Sequence, residues 1–173
     1  MVIRPETVNE YDAVCDLVEE AFKSARYSEG DEQELVKSIR ASKAYIPALS
    51  LVAVEDGELI GHIMLSRLCI RNDAGDREAL IVAPLSVSLP FRSLGVGTAL
   101  MHAALEKARE LGCGAVLLLG NPEYYHRFGY GSAPEFGITS VQTGYPDGCF
   151  MALALTPDGL RDMDGVVDFD NLY

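Results

Sequence analysis

The sequence predicts a mixed α/β domain, an antiparallel meander of three strands followed by a strand, turn, helix and strand whose two strands run parallel. Three observations carry this reading. Two apolar runs flank Glu55-Asp56-Gly57-Glu58, and Asp-Gly between apolar runs signals a tight hairpin. A segment of helical period follows the Gly-rich stretch from Pro90 to Gly97. A short all-apolar run, Ala115 to Leu119, closes the unit, as expected of a strand buried on both faces. The length of 173 residues suits one domain.

Each element has a local justification. Met1 to Pro5 is a short strand-like start. Val8, Tyr11, Val14, Cys15, Val18 and Phe22 recur at helical steps and form the inner face of a first helix. Lys23 to Gly30 is polar and Gly-terminated, hence a loop. Asp31 can cap a second helix whose inner face carries Leu35, Val36 and Ile39 and which ends near Ser42. Leu51 to Val54 is a buried strand, the hairpin follows, and Leu59 to Ile70 is the next strand. A loop with Asn72, Asp73 and Gly75 leads to a strand at Ala79 to Val87. The later helix places Leu100, Ala104, Ala108 and Leu111 on one face, and Gly112 stops it. Its crossover should be right-handed. Beyond Leu119 come an aromatic segment, Tyr124 to Tyr130, a strand at Phe150 to Leu155, and an apolar pair, Val166-Val167, in a Gly- and Asp-rich tail. There is no internal repeat or low-complexity stretch.

Composition narrows the function. Hydrophobic residues make up 49% and charged residues 23%, the balance of a globular protein. Asp and Glu total 26 against 14 Lys and Arg, a net charge of −12 with a pI near 4.6. That sign disfavours nucleic acid and anionic lipid as partners and suits a neutral or cationic small molecule. No apolar run approaches the ~20 residues that cross a bilayer, and the first residues do not read as a secretion signal, so the expected location is cytoplasmic. Cys15, Cys69, Cys113 and Cys149 form no C-x-x-C pair, and His62, His102 and His126 are dispersed. No metal is expected, and each cysteine reads as a small buried hydrophobe.

The most informative segment is Arg92-Ser93-Leu94-Gly95-Val96-Gly97-Thr98. Glycines let a ligand approach the backbone, and the helix that begins at once presents free N–H groups to an anion such as a phosphate. Arg92 can add a forked contact. A plain Gly-rich turn opening a helix has the same pattern. A Walker loop is excluded because no lysine follows Gly97, and the dinucleotide fingerprint fails because Met101-His102 stand where its third glycine falls.

Leu85-Ser86-Val87, Pro90, and Arg92-x-x-Gly95-x-Gly97-Thr98-Ala99-Leu100, followed by helix and apolar strand, resemble the acetyl-CoA signature of the GNAT superfamily of N-acetyltransferases. The later run Gly120-Asn121-Pro122-Glu123-Tyr124-Tyr125-His126-Arg127-Phe128-Gly129-Tyr130 is similar to its YhbS-like branch. The resemblance spans residues 1–155, which it implies are the acetyltransferase domain, with 156–173 an acidic extension packing on it. It implies a central mixed sheet whose parallel strands, Ala79–Val87 and Ala115–Leu119, splay into a cofactor cleft. Acetyl-CoA would be the co-substrate. Leu85, Ser86 and Val87 would offer backbone groups to its pantetheine arm. The amides of Ser93, Leu94, Gly95, Val96, Gly97 and Thr98, with Arg92, would hold the pyrophosphate. A backbone N–H near Val87 would polarise the thioester carbonyl.

The implied reaction is direct attack by a primary amine of a small molecule or peptide, an acyltransferase reaction of the EC 2.3.1 class. Tyr125 matches the family's general acid, and a phenol can protonate a thiolate because its reference pKa of ~10 exceeds the ~8.5 of a thiol. Aromatic packing is the other role open to Tyr125 and to Tyr124. Asn121, Tyr124 and Arg127 are candidate cofactor contacts, and Arg127 could instead hold a surface acid. Glu123, His126, Glu135 or a water chain could act as base, and no spacing selects one. The family resemblance also allows a homodimer. The alternative to the enzyme is a non-catalytic acyl-CoA-binding sensor or interaction module that shares the cleft. Asp158, Asp162, Asp164, Asp168 and Asp170 in the tail, and Glu29, Asp31, Glu32 and Glu34 near Gly30, would favour a cationic acceptor or serve only as solvated surface.

Overall fold

The computed structural model describes residues 1–23 and 30–172, so most of the expected loop up to Gly30, with Glu29, lies outside the described residues. Two compact units are present, Met1–Ser66 with Ala83–Lys107, and Arg67–Val82 with Ala108–Tyr173.

The first unit opens with β1 (Val2–Pro5) and α1 (Tyr11–Phe22), then α2 (Glu32–Ala41), β2 (Ser50–Glu55) and β3 (Glu58–Ile70). β1 and β3 both pair antiparallel with β2. The hairpin between β2 and β3 turns at Asp56 (φ 49°) and Gly57 (φ 86°), the two positive φ angles of a type I′ turn. β4 (Arg77–Val87) and α3 (Val96–Glu110) follow, and β3, β4 and α3 each contribute residues to both units. Val14, Cys15 and Val18 of α1 and Val36 and Ile39 of α2 bury against Val52, Met64 and Ala83. The first helix starts later than its apolar period suggests. Val8 lies in a 3₁₀ turn, Val8–Glu10, and is 74% exposed. There the Glu10 carboxylate accepts from Thr7 N and Oγ1 at 2.8 Å and pairs with Arg4 at 2.6 Å, satisfying donors that a further helical turn would leave unpaired. Asp31 occupies the cap position of α2, but its carbonyl, not its side chain, accepts from Glu34 and Leu35.

A buried polar cluster ties these elements together. The Glu6 carboxylate accepts from Ser50 Oγ at 2.6 Å, Tyr45 Oη at 3.0 Å and Arg40 Nε at 3.1 Å, and it pairs with Arg40 Nη2. The Arg40 guanidinium lies 4.0 Å from the Tyr11 ring centre and donates to Tyr11 O. Since Ser50 gives its only proton to Glu6, it accepts from His62 Nε2 at 3.1 Å, which places a proton on Nε2.

In the second unit β5 (Ala115–Leu119) runs parallel to β4, with Leu80 opposite Val116 and Ile81 opposite Leu117, as expected of the strand–helix–strand unit. After β5 come α4 (Pro122–Tyr125), β6 (Gly131–Ser132), β7 (Ile138–Ser140), β8 (Phe150–Ala154) and β9 (Gly165–Val167). β8 pairs antiparallel with β5 and β6, and the seven-stranded sheet has the hydrogen-bonding order β1-β2-β3-β4-β5-β8-β6. α3 ends as expected at Gly112, whose φ of 78° allows Gly112 N to bond Arg109 O and Cys113 N to bond Ala108 O. Closing there leaves Leu111 past the helix and 48% exposed, not on the inner face.

The tail is more structured than its composition suggests. β9 pairs parallel with β7, and Val166 bridges Arg71. Met163 and Val167 enter the core of Ile70, Ile81, Leu117, Ile138 and Phe150, with Phe169 and Leu172 packed against it. The cysteines are all free, but only Cys15 is buried. Cys69 is exposed and Cys113 and Cys149 are partly so, which corrects the expectation of four buried hydrophobes. Alternation explains Cys69, which sits between buried Leu68 and Ile70 on β3.

Burial pushes His62 down from 6.5 to about 4, against the upward pull of Glu6 and with a smaller downward push from Arg40. Its folded pKa lies below the unfolded value, so its contribution is complete above pH ~6.5 and is lost as pH falls toward ~4, reaching roughly 3 kcal/mol. Glu10, held down to about 2 by Arg4, titrates below that window. Denaturant unfolding between pH 6.5 and 4.5 should therefore show a stability loss that His62→Gln removes. The same slope in both proteins would assign the loss to other groups.

Candidate active site

In the first unit the site is built on the end of β4. Ser88 N donates to Ile60 O of β3 at 2.9 Å, so the backbone of Val87, one residue earlier, faces the opposite edge. Leu85 and Val87 are half-buried, whereas Ser86 is buried and its Oγ has no hydrogen-bond partner among the described residues. A 3₁₀ turn, Leu89–Phe91, then carries the chain to Arg92.

Ser93 has a φ of 62°, left-handed and uncommon for a residue with a Cβ, and Gly95 has a φ of 86°. Together these angles fold the chain back so that Gly95 O accepts from Ala99 N at 3.0 Å and α3 begins. The N–H groups of Val96, Gly97 and Thr98 lie in that first turn, where an α-helix offers them no acceptor. Ser93, Leu94 and Gly95 are exposed, and Val96 and Leu100 anchor the turn in the core. The donors expected from the sequence are thus displayed together at the positive end of a fifteen-residue helix.

Arg92 is placed differently from its simplest reading as a free anion ligand. Its Nη2 donates to Ala21 O in the last turn of α1, and its Nε to Val87 O at 3.3 Å. The guanidinium therefore caps the negative end of α1 and holds the end of β4.

One residue that sequence reasoning missed is Gly61 on β3. A Cβ there would lie 2.9 Å from Leu100 Cδ1, 3.1 Å from Ser86 O and 3.1 Å from Val96 Cγ1. The bare backbone lets α3 settle against β3 beside the end of β4. The only signal was a glycine inside a strand pattern.

The second unit brings Asn121, Tyr124, Tyr125 and Arg127 onto one short turn. Asn121 caps α4, its Oδ1 accepting from Glu123 N at 3.0 Å and its carbonyl from Tyr124 N and Tyr125 N. Its side-chain amide N–H groups are not used by that cap. Arg127 stacks 4.6 Å from the Tyr124 ring centre and donates Nε to Tyr124 O at 2.8 Å, a neighbour other than the surface acid considered from the sequence. Tyr125 packs edge-on against Tyr124 at 4.9 Å and Tyr130 at 6.0 Å. Burial, with a smaller contribution from Tyr124, raises its phenol well above the ordinary value, so the O–H stays protonated across the neutral range. Glu123, His126 and Glu135, the candidate bases, are all exposed. Among the described residues no group of three His, Cys, Asp or Glu could hold a metal ion.

Replacing Gly61 with Ala should overpack the seat of α3 and destabilise the protein by roughly 1–3 kcal/mol. Chemical denaturation measures this, and an unchanged midpoint would show that α3 does not depend on the close approach.

Comparison with known proteins places this arrangement. Residues 11–130 match the family described as Acetyltransferase (GNAT) family. The chain is 33% identical over 130 residues to the uncharacterized N-acetyltransferase YjhQ of Escherichia coli K12, covering 72% of this chain and 71% of that protein. It is 28% identical over 170 residues to the uncharacterized N-acetyltransferase YhbS of the same strain, covering 98% and 96%. The crystal structure of Escherichia coli YhbS in complex with CoA superposes with a TM-score of 0.85 at 27% identity, covering 96% of this chain and 88% of that one. A GNAT family acetyltransferase from Brucella melitensis in complex with acetyl-CoA gives 0.77 at 31%, covering 99% and 94%. Family match and fold agree with the sequence motifs: this chain belongs to the GNAT family of acetyl-CoA-dependent acetyltransferases.

Proposed function

We propose that the protein transfers the acetyl group of acetyl-CoA to a primary amine by direct attack, with Tyr125 as general acid. The observation that carries this reading is the turn from Ser93 to Thr98, exposed at Ser93, Leu94 and Gly95, whose backbone donors suit a pyrophosphate and which follows the end of β4 at Val87. Acetyl-CoA supplies an acetyl group activated as a thioester. The amine first gives its ammonium proton to solvent, and its nitrogen then bonds the carbonyl carbon as the carbon–sulfur bond breaks. The second proton it sheds in becoming an amide also passes to solvent. Leu85, Ser86 and Val87 align the pantetheine arm, and the Val87 N–H donates to the carbonyl oxygen as negative charge develops on it. Arg92 holds this edge in place through Val87 O. The Tyr125 O–H gives its proton to the departing sulfur, and its raised pKa keeps that proton available. Asn121, Tyr124 and Arg127 contact the cofactor from α4 and the turn after it. Residues 1–155 form the acetyltransferase domain, with 156–173 as its acidic extension.

The acceptor is a cationic amine of a small molecule or peptide. The support is the net charge of −12 and the state of the tail carboxylates. Arg161 neutralises Asp158, but Asp164 and Asp168 accept from the neutral side chains of Asn72, Gln142 and Asn171 and keep their charge. Donation from Gln142 lowers the Asp168 pKa further. The reaction is assigned to the cytoplasm, in keeping with four free cysteines in a reducing compartment.

A panel of amines assayed for CoA release tests the reading. Turnover should require both acetyl-CoA and an amine. Tyr125→Phe should leave cofactor affinity near normal and lower kcat by roughly 10²- to 10⁴-fold. Acetyl-CoA binding without turnover on any amine would indicate a sensor instead. Cationic acceptors should lose their advantage over neutral ones between ~0.01 M and ~1 M salt, as the screening length falls from ~30 to ~3 Å. Equal specificity constants at low salt would remove the charge argument.

A further inference from the structure

We propose that Gly120 is a positioning residue for Tyr125, its missing side chain being the space in which the Tyr125 ring lies. The inference rests on Tyr125 being the general acid. A Cβ built on Gly120 would stand 2.3 Å from Tyr125 Cε2 and 2.9 Å from Cδ2, with Leu118 Cδ1 at 3.3 Å. Approaches below 3.0 Å essentially never occur for a real Cβ, and the atoms met belong to a rigid ring.

Neither partner can yield easily. Gly120 N donates to Cys149 O at 2.9 Å, prolonging the β5–β8 pairing beyond Leu119 and Phe150. Tyr125 N is bonded to Asn121 O at 3.2 Å, in a turn capped by Asn121 and stiffened by Pro122. Around the ring stand Tyr124, Phe128 and Tyr130, with centres 4.9, 6.4 and 6.0 Å away. Gly120 is not among the residues of positive φ, so no backbone strain requires glycine there. Its tightest structural requirement is the ring, with Leu118 Cδ1 the next contact.

The clash falls on Cε2, which is bonded to the carbon bearing the hydroxyl. Relieving it shifts the outer edge of the ring by about 1 Å, and a misplacement of that size at a reacting group can cost about 10²-fold in rate. Gly120 thereby sets where the phenol proton is delivered.

The test is a kinetic cycle on the full chain with Gly120→Ala, Tyr125→Phe and the double variant, using acetyl-CoA and an amine that supports turnover. Gly120→Ala should lower kcat by about 10- to 100-fold with KM for acetyl-CoA within about threefold of normal. The double variant should be no slower than Tyr125→Phe alone, because the hydroxyl whose placement matters is already gone. Normal kcat in Gly120→Ala beside an impaired Tyr125→Phe overturns the positioning role and leaves the acid intact. Multiplying effects in the double variant overturn it too, since Gly120 would then act elsewhere. Normal kcat in Tyr125→Phe removes the acid and the positioning role together. If Gly120→Ala fails to fold, Gly120→Ala with Tyr125→Leu should restore a cooperative thermal transition. Failure to restore it would place the conflict away from Tyr125.

Discussion

The close approach of the first turn of α3 to β3, beside the end of β4, is the constraint on which the first unit depends. Helix N-termini carry unpaired donors wherever they occur. These donors become a site only when the helix is held at a fixed distance from a strand edge that can align the rest of a long ligand. Gly61 permits that distance, with Val96 and Leu100 packed where any side chain would stand. Ser93 and Gly95 bend the chain to reach it, and Arg92 ties the turn to α1 and to Val87. The surface proposed for the cofactor is mostly backbone, in keeping with a ligand that offers a pyrophosphate and a pair of amides.

The buried Glu6 carboxylate draws donors from α2, the following loop and β2. The Arg40 guanidinium reaches the start of α1, and the cluster is expensive to disrupt because removing one partner strands a buried charge. Arg92 instead sits at the other end of α1. In the second unit a dense aromatic group surrounds Tyr125, and the tail is knitted into the same unit through β9.

Features encoded by neighbouring residues were legible in the sequence. Asp56-Gly57 turned as a type I′ hairpin, Gly112 closed α3, and β5 runs from Ala115 to Leu119 as its unbroken apolar run suggested. Features requiring distant partners were not. The Glu6 cluster joins positions 6, 40, 45, 50 and 62, and no local pattern links them. β7 and β9 are three residues each and lie far apart in sequence, too short for a periodic signal. The sequence named Arg92 but not its partner Ala21, and it showed Gly61 only as a glycine in a strand and Gly120 only as the start of a motif, without the contacts either makes. Motif residues are legible because their spacing is local, whereas the residues that seat them act through packing.

The central proposal is that backbone donors of Ser93 to Thr98 and the N–H of Val87 receive the cofactor. Amide ¹H–¹⁵N spectra recorded during titration with CoA test it most directly. The account predicts large, saturable shifts concentrated on the amides of Val87 and of Ser93 to Thr98, with the Glu6 cluster unmoved. Saturable binding that leaves those amides in place and shifts others would contradict it.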